Sequence, residues 1–155
     1  MTEAKRSRDR LGTVLVAAQL GLIAALALWA AAPFLQGRAP LPAWAMAAAG
    51  AVLGGWTLAH NRPGNFNIRP TPRQGGLLVC SGPYRWVRHP MYTAVIACAA
   101  ACAWAAASPW AWLAVAALVA VLAVKSQVEE RWMLQQHPGY ADYRSRTRRF
   151  LPFIV

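Results

Sequence analysis

Acidic residues are scarce in this sequence of 155 residues, which has only five of them against 16 lysines and arginines. No carboxylate side chain occurs between Asp9 and Glu129. Glu129 and Glu130, which come later in the sequence, are therefore the natural carboxylates for chemistry in the middle of the chain.

Cysteine is also rare, and its distribution argues against a metal centre. Of three cysteines, Cys98 and Cys102 are four residues apart and share one helical face, but no third or fourth ligand lies nearby in the sequence. We interpret them as small buried residues, with a metal site or a disulfide as alternatives. The chain has no serine or cysteine arrangement typical of a covalent nucleophile. We therefore predict no metal site.

Charged residues are few compared with apolar ones. The chain is 57% hydrophobic and 14% charged, with a mean hydropathy of +0.30. This composition is too apolar for a small soluble domain and predicts an integral membrane protein. We expect an all-α fold, a single membrane domain over residues 1–155 built as a helical bundle of about four transmembrane helices. The predicted apolar helices are 11–32, 41–59, 91–107 and 109–124.

Two of these segments need separate interpretation. The first is preceded by basic residues and would also suit a secretory signal, but its 22 residues exceed the roughly 7 to 15 of such signals, so we expect an uncleaved anchor. The second contains Gly50 and Gly54, a spacing that allows close helix packing, either within the chain or in a dimer. The last two segments meet at Ser108-Pro109, which predicts a tight helical hairpin.

The basic residues predict the topology. Lysines and arginines number 4, 1, 5, 0 and 6 in the successive stretches outside the apolar segments. Because basic loops stay cytoplasmic, we expect both termini, a loop at 60–90 and a helix and tail at 125–155 on the cytoplasmic side, most simply of a bacterial inner membrane. Basic residues dispersed in this way predict no nucleic-acid partner, but some affinity for anionic membrane lipids.

The polar residues best suited to binding or catalysis lie on this predicted cytoplasmic side. Residues 82–92 read Gly-Pro-Tyr-Arg-Trp-Val-Arg-His-Pro-Met-Tyr, directly before the third apolar segment. Glu129 and Glu130 follow the fourth, on a stretch with no glycine or proline before Gln136. We expect these glutamates to be the counter-charges of Arg85, Arg88 and His89.

A less specific interpretation of the same residues is also open. Glu129 could pair with Lys125 one helical turn earlier, with Glu130 solvated, and such a pair contributes only about 0.2–0.5 kcal/mol. Further on, Tyr140 and Tyr143 share one helical face and suit an interfacial helix with rings against lipid. Alternatively, this tail covers the site as a lid.

These fragments together resemble a known family. The segment at 82–92, an apolar hairpin, Glu-Glu-Arg at 129–131, Gly-Tyr-x-x-Tyr at 139–143 and Arg-Phe-Leu-Pro at 149–152 are similar to the isoprenylcysteine carboxyl methyltransferase and phospholipid methyltransferase family of integral membrane enzymes. The resemblance covers about half of the chain. Relatives often have glycine after the tyrosine, where this chain has Thr93-Ala94.

The resemblance implies methyl transfer from S-adenosylmethionine to a lipid-soluble acceptor, such as a prenylated thiol or carboxylate or a lipid amine. It also implies that the cofactor lies between the Arg-His-Pro segment, the Glu-Glu helix and the folded-over tail. The residues implied in cofactor binding are Arg88, His89, Pro90, Tyr92, Glu129, Glu130, Tyr140 and Tyr143, with Arg149 at a further matching position. Arg88 and Glu130 are the expected catalytic residues.

The residue types also suit that cofactor on chemical grounds that do not depend on the resemblance. S-adenosylmethionine has a carboxylate that needs cations, an ammonium and ribose hydroxyls that need acceptors, and an adenine that needs an apolar slot. The candidate partners are, in that order, Arg88 with His89, Glu129 with Glu130, and Tyr92, Trp86 or Trp132. No enzyme nucleophile is needed, and a base, either a glutamate or His89, is needed only for a protonated amine or thiol acceptor.

Two other functions remain open at this point. A nicotinamide-dependent membrane reductase could also place basic and tyrosine residues at the interface, without a Gly-rich phosphate loop. A non-enzymatic membrane adaptor could use the basic loops to bind anionic lipid, and would then tolerate exchanged charges at Arg88, Glu129 and Glu130. The acceptor and the oligomeric state are not predicted.

Overall fold

The computed structural model describes residues 3–61 and 77–152, with side chains from Arg10 onward. This part of the chain is helical, which confirms the predicted all-α class. A single turn of 3-10 helix, Gly82–Arg85, lies before the third long helix. Residues 62–76, which belong to the predicted 60–90 loop, lie outside the described residues. The α-helices are α1 (Glu3–Leu35), α2 (Leu41–His60), α3 (Pro90–Ala106), α4 (Pro109–Gln136) and α5 (Tyr140–Arg146).

Prolines and one left-handed residue set the ends of the hairpin. Pro90 and Pro109 lie in the first turns of α3 and α4, where a missing N–H leaves no helical hydrogen bond unmade. Ala107 has a φ of 47° and ends α3. The predicted tight hairpin is therefore confirmed. Because nothing breaks the helix after residue 124, α4 continues beyond its apolar segment and carries both glutamates out of it.

Helix α3 is the centre of the bundle, since it packs against α1, α2 and α4, while α1 also packs against α4. Most of its buried side chains are alanines, whose small size lets neighbouring helices approach closely. The larger core side chains come from the neighbours, including Leu26 of α1 and Leu118 and Leu122 of α4, each at most 1% exposed. Tyr92 belongs to the same cluster, so this core extends to the end of the bundle that carries the glutamates.

The outer surface of the bundle is apolar. Leu28, Val52 and Trp110 are each more than 60% exposed, as expected where lipid is the surrounding solvent. Three stretches are long and apolar enough to cross a membrane, namely Arg10–Leu35, Leu41–His60 and Pro109–Gln136. These features agree with an integral membrane protein. Helix α3 has only 17 residues, about 25 Å against a hydrocarbon layer of roughly 30 Å, so the fourth span and the orientation of the termini stay predictions.

The glycine pair of α2 serves a contact within the chain. A Cβ at Gly50 would lie 2.6 Å from Cys98 Sγ and 3.0 Å from the carbonyl oxygen of Ala94, and one at Gly54 would lie 3.7 Å from Ala94 Cβ. The lack of a side chain at these two positions of α2 therefore allows α3 to pack directly against the α2 backbone.

We expect Gly50→Ala to lower the thermal unfolding midpoint, because overpacking a well-packed contact costs roughly 1–3 kcal/mol. The matched control is Gly55→Ala, whose Cβ would meet nothing within 4 Å and which should leave the midpoint unchanged or raise it, since alanine favours helix over glycine by about 1 kcal/mol. Circular dichroism melts in detergent measure both. A Gly50→Ala midpoint at or above that of Gly55→Ala would contradict the packing of α2 on α3.

Candidate functional site

The chain before α3 is held in place by the C-terminal tail. The backbone N–H of Arg88 donates to the carbonyl of Arg148 at 2.8 Å, and that of Arg148 donates to the carbonyl of Trp86 at 3.0 Å. His89 N–H donates to the carbonyl of Arg149 at 3.1 Å. Two short extended stretches thus run in parallel through an isolated bridge between Val87 and Arg148. Backbone bonds fix where the side chains of Arg88 and His89 begin.

Side chains attach the tail at two further points. The Thr93 hydroxyl donates to the carbonyl of Phe150 at 2.6 Å, and the Tyr143 hydroxyl donates to the carbonyl of Tyr84 at 2.7 Å. Burial, with a contribution from the charge of Glu129, raises the pKa of Tyr84 to about 12. Burial also raises the pKa of Tyr143, so its hydroxyl remains a neutral donor. The tail is therefore a folded cover over the start of α3.

This cover corrects one interpretation from the sequence. Tyr140 is 3% exposed and Tyr143 is 6% exposed, so neither ring lies against lipid. The two rings contact each other, with centroids 5.8 Å apart. They face inward because α5 packs against the end of α4, which supports the alternative interpretation of the tail as a lid.

Glu130 is the centre of an ionic cluster. Its carboxylate lies 2.9 Å from Arg88 Nε, 3.3 Å from Arg149 Nε and 3.6 Å from Arg144 Nε. His89 Nε2 is also 3.3 Å from Glu130 Oε1. The Glu130 side chain is only 3% exposed, so the suggestion that it is solvated is wrong. One carboxylate from α4 holds together the segment before α3 and two positions of the tail.

Arg88, which lies before α3, bonds both to α4 and to the tail. Besides the bond from its Nε to Glu130, its Nη1 donates to the carbonyl of Arg144 at 3.2 Å and to the carbonyl of Thr147. A planar guanidinium presents several donors in fixed directions, which a lysine cannot reproduce. Arg88 therefore connects α4 with α5 and with Thr147, the residue that follows it.

Glu129 has a different environment from its neighbour. It accepts a 2.5 Å hydrogen bond from the Tyr92 hydroxyl and lies 3.4 Å from His89 Nδ1. Its side chain is 19% exposed, and among the described residues it forms no ion pair with an arginine. Glu129 is thus the more accessible of the two carboxylates.

His89 links the two glutamates through its two ring nitrogens. Burial by itself lowers the pKa of the imidazole, but the hydrogen bonds and charges of Glu129 and Glu130 outweigh burial, so the pKa lies above its ordinary value of 6.5. The protonated ring donates from both nitrogens. Stacking on Tyr92, with centroids 5.3 Å apart and planes at 3°, fixes its orientation.

A raised pKa in the folded state makes stability depend on pH. The contribution of protonated His89 is fully present below about pH 6.5, its ordinary pKa, and is lost as pH rises through the folded-state value. We therefore expect the thermal midpoint of the wild type to fall between pH 6 and pH 9 by more than that of His89→Gln. Melts in detergent across this range test the prediction, and parallel curves for the two proteins would contradict it.

Most of the residues singled out from the sequence converge here. Arg88, His89, Tyr92, Glu129 and Glu130 contact one another, and Pro90 begins the helix between them. Their role in binding a cofactor stays a prediction.

Other expectations from the sequence are wrong. Arg85 is exposed and pairs with neither glutamate. The suggested pair of Lys125 with Glu129 is replaced by a 2.9 Å bond from Lys125 Nζ to Gln19 Oε1 of α1. Arg144 and Thr147 were missed, because nothing in a tail with four arginines distinguishes the one that reaches Glu130.

The described residues contain no cluster of three or more histidine, cysteine or acidic side chains suited to a metal ion. The three cysteines are free thiols. The site is therefore organised by ion pairs and hydrogen bonds between side chains and backbone.

A comparison with protein families identifies the family of this chain. A family model described as phospholipid methyltransferase matches residues 45–138, from α2 through α4, including Arg88, His89, Tyr92 and both glutamates. Comparisons with curated proteins and with solved structures found no match. The family match covers more than half of the chain. The chain belongs to the phospholipid methyltransferase family and is an integral membrane methyltransferase.

Proposed function

We propose that this protein transfers a methyl group from S-adenosylmethionine to a lipid-soluble acceptor at the cytoplasmic face of the membrane. One observation carries the proposal: two adjacent carboxylates and several cations meet at one end of the apolar bundle, under a folded tail. Family membership supports methyl transfer. The donor, the side of the membrane and the class of acceptor are the parts proposed here.

The residues at the site fit the polar groups of this cofactor. Glu129, with its partly exposed carboxylate, suits the ammonium or the ribose hydroxyls, both of which need an acceptor. Arg144 and Arg149, whose side chains are 47% and 23% exposed, suit the carboxylate together with Arg88. Tyr92 is 9% exposed and its ring is stacked on His89, whereas Trp86 is 44% exposed and contacts Trp56, so Trp86 is the more accessible of the two aromatic candidates. The carboxylate, the arginines and the aromatic residues of the site therefore match a zwitterion with an attached nucleoside.

The two glutamates have different roles in this proposal. Glu130 is almost fully buried and neutralised by Arg88 and Arg149, so it orders the cations and does not itself need to reach the ligand. Glu129 has no arginine partner and is the carboxylate available to the bound molecule. His89 contacts both glutamates, and as a protonated ring that donates from both nitrogens it has no lone pair to accept a further proton. The more accessible carboxylate of Glu129 is therefore the candidate base for an amine or thiol acceptor.

When bound, S-adenosylmethionine supplies an activated methyl group on a sulfonium, so that no nucleophile of the enzyme is required. The residues of the chain align donor and acceptor and exclude water. The tail, held by backbone bonds to residues 86–89, closes the aqueous side. An acceptor dissolved in the bilayer, either a prenylated thiol or carboxylate or a lipid amine, would enter between the helices.

Ligand binding to the purified protein in detergent tests the proposal. Calorimetric titrations with S-adenosylhomocysteine and with NADPH should show binding of the first and not of the second. A scrambled-charge control, in which Arg88 and Glu130 are exchanged, should lose binding although the net charge is unchanged. NADPH binding would instead favour a reductase. Wild-type binding of anionic lipid by the exchanged variant would favour an adaptor that needs only net charge.

A further inference from the structure

Lys125 is a charged residue buried inside the apolar bundle. It lies on α4, one residue beyond the predicted apolar segment 109–124, and is 2% exposed. Its Nζ donates to Gln19 Oε1 of α1 at 2.9 Å, and Gln19 is itself only 9% exposed. Because ionisable groups buried beside the hydrocarbon layer are costly, those that are present usually serve a function.

The surroundings of Lys125 indicate what that function is. Among the described residues, no carboxylate lies within ion-pair distance of its ammonium. A second neighbour is the ring of Tyr92, whose centroid is 5.2 Å from Nζ, and the charge of Glu129 also acts on the ammonium. That ring stacks on His89 and donates its hydroxyl to Glu129. The ammonium therefore lies next to the aromatic residue that orients the more accessible carboxylate.

We propose that Lys125, held by Gln19, is a positioning residue that fixes the ring of Tyr92 and, through it, the carboxylate of Glu129. A cation near an aromatic face is attracted by the ring electrons, and this attraction strengthens when water is absent. The hydrogen bond to Gln19 fixes the ammonium from α1, so that three helices together determine the direction of one tyrosine hydroxyl.

Packing alone does not explain the residue. Apolar side chains of similar length in place of both Lys125 and Gln19 would fill the same volume without the cost of burying a charge, and replacements of a whole buried pair are often neutral or stabilising. What an apolar residue cannot supply is the attraction to Tyr92 and the bond to Gln19. Function and stability should therefore respond differently to its removal.

This proposal gives α1 a role in the site. Gln19 lies outside residues 45–138, the part of the chain that the family model matches, whereas Lys125, Tyr92 and Glu129 lie inside it. The link from Gln19 connects the N-terminal helix to the site. Its effect on cofactor binding rests on the proposed function, but its effect on the geometry of Tyr92 does not.

The first measurement needs no ligand. The chain has three histidines, His60, His89 and His137, so the ring signals of His89 are assignable by NMR of histidine-labelled full-length protein in detergent. We expect Lys125→Met and Gln19→Leu to shift the His89 ring signals, because Tyr92 stacks on that ring, while Lys125→Arg stays closer to the wild type. Unchanged His89 signals in Lys125→Met would overturn the proposal, whatever the protein binds.

The second measurement separates positioning from stability. The dissociation constant of S-adenosylhomocysteine should rise at least about fivefold in the double variant Lys125→Met, Gln19→Leu, which leaves no buried polar group unpaired and should keep the thermal midpoint. Lys125→Arg should stay closer to the wild-type affinity. The control is Leu118→Ala, a fully buried change on the same helix that lowers the midpoint. If Leu118→Ala moves the His89 signals and the affinity as much as the double variant does, the role is structural and the proposal fails. If the wild type does not bind S-adenosylhomocysteine, the proposed function fails, and the NMR comparison alone decides the role of Lys125.

Discussion

Glu130→Gln is expected to release the C-terminal tail and to lower the affinity for S-adenosylhomocysteine by at least about tenfold. The substitution keeps the shape of the side chain but removes the charge that neutralises Arg88 and Arg149. Removing one partner of a buried ion pair leaves the other charge uncompensated, at a cost of roughly 3 kcal/mol or more. Hydrogen exchange of residues 140–152, together with thermal melts, measures the structural part of this effect.

Glu129→Gln is the matched control for the tail. Glu129 is the adjacent residue on the same helix, but it makes no ion pair with an arginine of the described tail. Its replacement should therefore leave hydrogen exchange of the tail close to that of the wild type, while affecting ligand affinity. A tail that stays protected in Glu130→Gln, or that opens equally in both variants, would show that Glu130 does not organise the cover.

Arg88→Ala is expected to produce the second large effect, a rise of roughly 10- to 100-fold in the dissociation constant of S-adenosylhomocysteine. The guanidinium bonds to Glu130 and to the carbonyls of Arg144 and Thr147, and a hydrogen bond to a charged group contributes about 1.5–3 kcal/mol. Arg88→Lys should recover only part of the affinity, since one ammonium cannot reach all three acceptors. Calorimetry measures the affinity, and membrane fractionation checks that insertion is intact.

Arg85→Ala is the matched control for this arginine. It removes the same charge three residues earlier, at a position that is exposed and pairs with neither glutamate. We expect its affinity to stay within about twofold of the wild type. Wild-type affinity in both Arg88→Ala and Glu130→Gln would mean that the cofactor binds elsewhere and that the proposed pocket is wrong.

The helices and the hairpin were predictable because they depend on local sequence. A run of apolar residues predicts a segment that partitions into lipid, and Ser108-Pro109 favours the start of a new helix, because proline lacks an N–H and is best placed in the first turn. The prolonged α4 followed in the same way from the lack of glycine and proline between Lys125 and Gln136. The contact of Arg88 and His89 with the two glutamates was also predictable, because those glutamates are the acidic residues that follow a long stretch without any.

Partner choice among similar residues was not predictable. Arg85 and Arg88 are alike in charge and three residues apart, but Arg85 ends the 3-10 turn and is exposed, while the backbone bonds to the tail direct Arg88 inward. Lys125 has the right spacing for Glu129, yet lysine before glutamate is the weaker orientation, and α1 supplies Gln19 instead. The same limit applies to Tyr143, whose partner is the carbonyl of Tyr84.

By itself, the sequence determined that this protein is a helical membrane protein, where its apolar helices lie and to which family its motifs belong, since these depend on composition and on the order of residues along the chain. Only the tertiary structure decided that Glu130 holds the tail, that Glu129 stays accessible and that Lys125 lies beside Tyr92. Those outcomes depend on how each helix is rotated against its neighbours, and packing sets that rotation.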